Sequence, residues 1–314
     1  MAKILVTGAN GFVGSALCDS LREQGINVIA AVRRSAYENE YEVGSISALT
    51  DWIPALEGCN TVIHLAARVH VMNEKNINPL AAFRAVNVDA TINLARQAAQ
   101  CNVERFIFIS SIGVNGAETF SEPFSELSKP QPHSDYALSK FEAEEGVKDI
   151  CAQSSMKFVI IRPPLIYGSS APGNFKSLLK FVQKGLFLPL SLVKNQRSMV
   201  ALDNLVNFIK VCIEHPKAAN QTFLVSDGES ISTPQLIRLL SLCMGKPARL
   251  FPLPVCILKL GAFLLGRKVM YQQLCGSLQI DITKAQDLLG WIPPVHMNDG
   301  LHDAAERYLS EKII

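Results

Sequence analysis

Lys3-Ile4-Leu5-Val6-Thr7, a short run rich in branched residues, passes directly into Gly8-Ala9-Asn10-Gly11-Phe12-Val13-Gly14 and then into a helical pattern through Leu17 and Leu21. Glycines at this junction meet three demands together. A tight turn needs φ > 0, the backbone must come close to a pyrophosphate, and the helix must pack near the strand with its N-terminus aimed at negative charge. The apolar run Val28-Ile29-Ala30-Ala31-Val32 follows and completes a βαβ unit of the expected length. Three glycines alone are compatible with a turn that binds nothing, but their place inside the first βαβ unit favours a nucleotide.

Two further apolar runs, Thr61-Val62-Ile63-His64-Leu65 and Arg105-Phe106-Ile107-Phe108-Ile109-Ser110, flank a predicted helix from Pro79 to Gln100. A helix opening at Tyr136 leads to another strand, Phe158-Val159-Ile160-Ile161. Strands that are continuously apolar and separated by helices indicate a parallel sheet covered on both faces. The expectation is an α/β fold, a Rossmann-type doubly wound parallel sheet with a smaller C-terminal substrate-binding lobe. The dinucleotide-binding domain is placed at residues 1–164, with sheet segments returning at about 196–225, and the lobe at 165–195 and 226–314. Phe223-Leu224-Val225 reads as a late strand, and helices are predicted at Thr233–Met244, Val255–Leu265 and Gly300–Leu309.

The chain has 314 residues, 48% of them hydrophobic and 18% charged, with a formal net charge of +2. That length supports a large core, and so small and evenly spread a charge does not advertise a nucleic-acid surface. The eight cysteines are scattered, without C-x-x-C pairs or zinc-site spacing, and read as reduced residues of a cytoplasmic protein. The N-terminus enters a strand at once and offers no export signal. Val255–Leu265 is well short of the ~20 apolar residues of a spanning helix and contains Lys259, so no integral membrane segment is expected. Packing against the body of the protein is its expected role, with an amphipathic membrane-surface contact as the alternative.

An acidic residue ending the second strand would accept hydrogen bonds from the ribose of NAD. Here the chain runs Val32-Arg33-Arg34-Ser35, with no carboxylate until Glu38. Either arginine would pair with a 2′-phosphate, which points to NADP(H) over NAD(H). Ser111 follows the Arg105–Ser110 strand at the end that faces the ligand crevice. Tyr136 and Lys140 are four residues apart on one helix face. A hydroxyl to hold a carbonyl, a phenol to move its proton and a lysine to favour the phenolate make a complete site for hydride transfer.

These residues resemble an extended short-chain dehydrogenase/reductase of the NAD-dependent epimerase/dehydratase, nucleotide-sugar-modifying type. The matching pieces are the Thr7–Gly14 turn, His64-Leu65-Ala66-Ala67, Asn87, Ser111, Tyr136 with Lys140, Arg162-Pro163 and Asn195-Gln196-Arg197-Ser198. The resemblance implies that Ser111, Tyr136 and Lys140 are catalytic, and that Leu65, Ala66, Ala67, Asn87 and Pro163 join the glycine turn around the cofactor. It also implies Asn174 near the substrate's nucleotide, Arg197 at its diphosphate, and a homodimer through the Tyr136 helix and the one before residue 100.

More narrowly, His64–Met72, Ser110–Gly116 and Cys275–Leu278 with Leu289–Pro294 look like a bacterial branch that forms UDP-N-acetylquinovosamine. Members of that branch are often labelled UDP-glucose 4-epimerase, and the resemblance implies a place in lipopolysaccharide O-antigen biosynthesis. Departures are Asn115 for a tyrosine, Ser45 for an aspartate near adenine, and Gln273 for a diphosphate-binding arginine, which leaves Arg267, Lys268 or Arg197 for phosphate. The leading expectation is NADPH-dependent reduction of a UDP-linked 4-keto-6-deoxy-N-acetylhexosamine. The alternative is a UDP-sugar 4-epimerase with a retained cofactor, and a non-catalytic dinucleotide sensor is the minor one. His64 and His70 read as hydrogen-bonded loop histidines, without a metal, and Glu142, Glu144 and Glu145 as a solvated helix face.

Overall fold

The computed structural model describes residues 3–37, 40–69 and 78–311. Glu38, His70, Val71 and Met72 lie outside these. The strands are β1 (Lys3–Thr7), β2 (Asn27–Val32), β3 (Glu40–Glu42), β4 (Thr61–His64), β5 (Arg105–Ile109), β6 (Lys157–Arg162), β7 (Leu165–Tyr167), β8 (Arg197–Ala201), β9 (Gln221–Leu224) and β10 (Ser230–Ile231). The helices are α1 (Phe12–Glu23), α2 (Ile53–Leu56), α3 (Pro79–Arg84), α4 (Ala90–Gln100), α5 (Asp135–Ala152), α6 (Asn174–Gln183), α7 (Leu202–Glu214), α8 (Thr233–Cys243), α9 (Val255–Leu264), α10 (Lys268–Cys275), α11 (Thr283–Leu289) and α12 (Met297–Ser310).

Seven parallel strands form the main sheet in the order β3-β2-β1-β4-β5-β6-β9. Winding runs from β1 one way to β2 and β3, and from β4 the other way to β9, so the crevice for a ligand opens where β1 meets β4. The strand pleat sends alternate side chains to opposite faces, and both faces are covered. In β1, Ile4 and Val6 join a core with Leu17 and Leu21 of α1 and Leu205, Phe208 and Ile209 of α7. Leu5 faces the other way, toward Trp52, Leu94 of α4 and Val147 of α5.

The expected Rossmann-type sheet is therefore present, and the predicted Pro79–Gln100 helix is present with one irregularity. Between α3 and α4, residues Ala85–Asp89 make a π-helical turn, the widened turn that often marks a functional position. Within 196–225 only β9 joins the main sheet, while β8 pairs with β7 and β10 in a separate three-stranded sheet. That small sheet packs with α6, α8 and α12 around a third core. Residues 277–281 run between the two parts. Ser198 N–H donates to Leu278 O on one side, and Thr119 and Phe124 N–H donate to Ser277 and Gln279 O on the other, each at 2.8 Å.

The packing expected of Val255–Leu265 is not what the structure has. No residue of α9 is buried, although Val255 and Leu258 rest partly on the third core. Among the described residues no helix is long and apolar enough to cross a membrane, and none of the eight cysteines is in a disulfide.

Candidate active site

Gly8 takes φ +68°, a left-handed conformation open to glycine at little cost. A Cβ on Gly14 would stand 2.1 Å from Gly8 O and 2.8 Å from Ala9 Cα, so α1 rests on the turn with no room for a side chain. A Cβ on Gly8 would meet Ala66 N at 2.9 Å, which brings the loop after β4 against the turn. Helix α1 starts at Phe12, and its N-cap, Gly11, has no side chain to occupy the first-turn N–H groups. Those groups and the helix dipole are available to an anion.

A cleft of about 990 Å³ opens at this point, walled by Gly8, Asn10, Gly11, Arg33, Arg34, Leu65, Ala66 and Ala67. Ser45 and Trp52 form part of the same wall. Trp52 is buried, yet its indole Nε1–H has no hydrogen-bond partner among the described residues. The glycine cradle, the bare helix terminus and this orphaned donor fit a dinucleotide. Of the residues that follow, Val13 packs against the first core, and Phe12 reaches the second part of the molecule, where a Cβ on Gly168 would lie 3.1 Å from its ring.

His64 ends β4 and is fully buried, so it is a strand residue and not the expected loop histidine. Thr91 Oγ1 donates to Asn87 O at 2.8 Å and so accepts from His64 Nε2–H at 2.9 Å. That leaves Nδ1 to accept from the Thr7 hydroxyl at 2.6 Å, while Ala66 N–H donates to the same Thr7 oxygen at 3.3 Å. Burial, with the nearby Lys140 charge second, pushes the imidazole down to about 3. Asn87, in the π-helical turn, clamps the neighbouring loop. Its amide accepts from Arg68 N–H at 2.8 Å and donates to Arg68 O and Ser139 Oγ at 3.0 Å each.

Ser111 follows β5 in extended backbone and accepts from Gly113 N–H at 3.1 Å, capping a 3₁₀ turn at Ile112–Val114. Ile112 N–H donates to Pro163 O at 3.0 Å, and His133 Nδ1 bonds Gly113 O at 3.1 Å. At Gly113 a Cβ would stand 3.3 Å from both Ser111 Oγ and Ala137 Cβ, which puts the serine loop against the first turn of α5. Ser134 caps that helix by accepting from Ala137 N–H. Tyr136 lies in the same turn, half-buried and edge-on to Phe83 of α3 at 6.0 Å between centroids. Burial pushes its phenol up to about 12. The expected lowering by Lys140 is not what the structure has, since burial is the cause that sets the shift. Lys140 itself is 1% exposed, with Nζ 4.2 Å from the centre of the Phe108 ring. Burial drives its ammonium down to about 7, against an upward pull from Glu144.

Glu144 corrects another expectation: it is fully buried and not on a solvated face. Arg162 grips it with two hydrogen bonds, Nε to Oε1 at 2.9 Å and Nη2 to Oε2, and Ser110 Oγ donates to Oε1. Arg162 Nη1 donates to Asn115 Oδ1 at 3.0 Å. Glu142 and Glu145 do face solvent, in pairs with Arg84 and Lys148. The cluster of Ser110, Asn115, Glu144 and Arg162 locks β5, β6 and α5 together directly behind Ser111.

The residues assigned to substrate lie in the second part. Asn174, first in α6, donates to Gln273 Oε1 of α10 at 2.8 Å. Arg197 donates to Gly276 O at 3.0 Å, and its pKa is lowered by burial with Glu118 pulling it back up. Beside them a cavity of about 580 Å³ is lined by Glu118, Phe120, Lys259, Lys268 and Tyr271. Arg267 is exposed.

A doubly wound sheet with a glycine cradle at its switch point is the architecture of an NAD(P)-dependent short-chain dehydrogenase/reductase of the extended type. The chain belongs to the NAD dependent epimerase/dehydratase family, whose profile matches residues 4–226. It is similar to a Vibrio cholerae protein named UDP-glucose 4-epimerase, with 43% identity over 98% of this chain and 95% of that one. It is also 26% identical to the N-acetyl-alpha-D-glucosaminyl-diphospho-ditrans,octacis-undecaprenol 4-epimerase of Escherichia coli O157:H7, over 95% and 92% of the two chains. The solved UDP-glucuronic acid 4-epimerase of Bacillus cereus, in complex with NAD, superposes with a TM-score of 0.80 and 22% identity, covering 99% of this chain and all of the other.

Proposed function

We propose that the protein is a 4-epimerase of a UDP-linked hexose or N-acetylhexosamine, with NAD(P) retained in the cleft. The observation that carries this reading is the 43% identity, along nearly the whole chain, to a relative named for that reaction. The second relative is also named a 4-epimerase, of a diphosphate-linked N-acetylglucosamine. Both names fit a site that acts at one sugar carbon and discriminates little at the far end of the diphosphate.

Bound in the cleft, NAD(P) would supply the hydride acceptor for C4 of the sugar and the donor that returns the hydride to the opposite face. Ser111 Oγ would hydrogen-bond the sugar O4 and steady the carbonyl oxygen that forms there. Tyr136 would take the O4 proton as the hydride leaves and give it back as the hydride returns. For that the phenol must first be ionised. Lys140, one helical turn away, would be the cation that favours the phenolate, against the burial that raises the phenol and lowers the ammonium. Asn87 and the Thr7–His64 bond would hold the loop that faces the nicotinamide half. Asn174 and Arg197 would meet the uridine and diphosphate. The dimer proposed with this reading would form through α4 and α5.

One observation favours the reductase reading, with NADP(H). Arg33 and Arg34 are exposed on the cleft wall just after β2, where a 2′-phosphate would lie. Two incubations separate the readings. With UDP-glucose or UDP-N-acetylglucosamine the expected result is the C4 epimer, with no net change at the nicotinamide absorbance band. Consumption of NADPH with UDP-4-keto-6-deoxy-N-acetylglucosamine, and no epimer from the first incubation, would establish the reductase instead. In either case Tyr136→Phe should lower kcat by about 10²–10⁴-fold while dinucleotide binding is kept.

A further inference from the structure

We propose that α9 and the start of α10 are a docking face for an anionic phospholipid bilayer. Helix α9, VCILKLGAFL, buries none of its residues, which is unusual for so apolar a helix. Leu260, Phe263, Leu264 and Leu265 are 59%, 74%, 73% and 76% exposed, and Val269 at the start of α10 is 66% exposed. Apolar surface this continuous on a soluble domain marks an interaction site.

The charge around it names the occupant. From Ser230 to Ile280 the chain carries Arg238, Lys246, Arg249, Lys259, Arg267 and Lys268 and not one aspartate or glutamate. All six are exposed, and Lys259, Arg267 and Lys268 lie on or beside the apolar helix. Glu118 is the one carboxylate among the residues lining the adjoining cavity. The exposed apolar side chains of this helix, bounded by Pro254 and the left-handed Gly266, would enter the acyl boundary while the flanking cations meet anionic headgroups. A second copy of this chain fits worse. A two-fold contact through α9 would set Lys259, Arg267 and Lys268 against their own counterparts with no carboxylate from α9 or α10 to relieve them.

Co-sedimentation of the whole protein with vesicles tests this without any substrate, so its outcome is independent of the reaction catalysed. Vesicles of phosphatidylcholine with an equal part of phosphatidylglycerol should bind it at least about tenfold better than phosphatidylcholine alone, and added salt should weaken the binding. The double substitution Leu264→Glu with Leu265→Glu should abolish binding. Should that variant misfold by circular dichroism, Arg267→Gln with Lys246→Gln provides a milder loss on the same vesicles. No binding to the anionic vesicles overturns the proposal. So does unchanged binding by a folded variant, and so does self-association lost on the same double substitution without any vesicle binding.

Discussion

The carboxylate of Glu144 takes both hydrogen bonds of the Arg162 fork and a third from Ser110, all out of reach of water. It lies one helical turn beyond Lys140 and is the charge that holds that buried ammonium up against desolvation. Removing one partner of a buried pair leaves the other charge uncompensated, so Glu144→Gln should cost about 3–5 kcal/mol. Urea unfolding measures it, and a loss below about 1 kcal/mol would show that the pair is dispensable. From the sequence, Glu144 is indistinguishable from Glu142 and Glu145, since all three fall in one short stretch of α5. The available signal is Arg162, next to a proline and directly after the apolar run Phe158-Val159-Ile160-Ile161, because an arginine buried there requires an anion. Ser111, Tyr136 and Lys140 stand out in the sequence for a different reason: the chemistry expected of them rests on residue type and spacing, which the sequence states directly. The balance of charge and burial around Tyr136 depends on packing, and the sequence does not contain it.

At the scale of elements, His64 links β1 through Thr7 and α4 through Thr91, and it must be neutral to do so. Its pKa is about 3 in the folded protein against an ordinary value of 6.5. The unfolded chain therefore binds the proton more readily over that interval, and the stability that neutral His64 supplies is complete above pH 6.5 and is lost as pH falls toward 3. The urea midpoint should drop between pH 7.5 and pH 5, and His64→Gln should flatten that part of the profile. An equal slope in both proteins would remove His64 as the cause. The strands β1, β2, β4, β5 and β6 are readable because burial on both faces makes them continuously apolar. Helix α7 is passed over although Leu205, Val206, Ile209 and Cys212 repeat at helical spacing, because the surrounding prolines and asparagines suggest irregular chain. The short strands β7, β8 and β10 exist only through pairing with one another, which no local pattern announces. Helix α9 is readable as a helix, but its exposure is not, since apolar composition alone implies burial.

Taken whole, the part of the molecule that holds the main sheet is not one continuous stretch of chain. Helix α7 and strand β9 come from beyond that point, yet α7 covers one face of the main sheet and β9 pairs with β6. A fragment of residues 1–164 would expose Ile4, Val6, Val159 and Ile161 on that face and leave β6 as a bare edge. It should be recovered as aggregate, whereas the full chain stays monodisperse, and a soluble fragment with native circular dichroism would refute this. The segment 277–281 extends the same interdependence to the loop after β5. Gln279 N–H reaches Thr119 Oγ1 across 160 positions of chain. At about 5–20 residues per second, a ribosome needs roughly 10–30 s to go from the first of these residues to the second. The glycine turn and β4 can be complete well before then, while the loop that carries Ser111 lacks its outer brace. A nascent chain thus completes its glycine turn before the loop after β5 gains its last hydrogen bonds to residues 277–281.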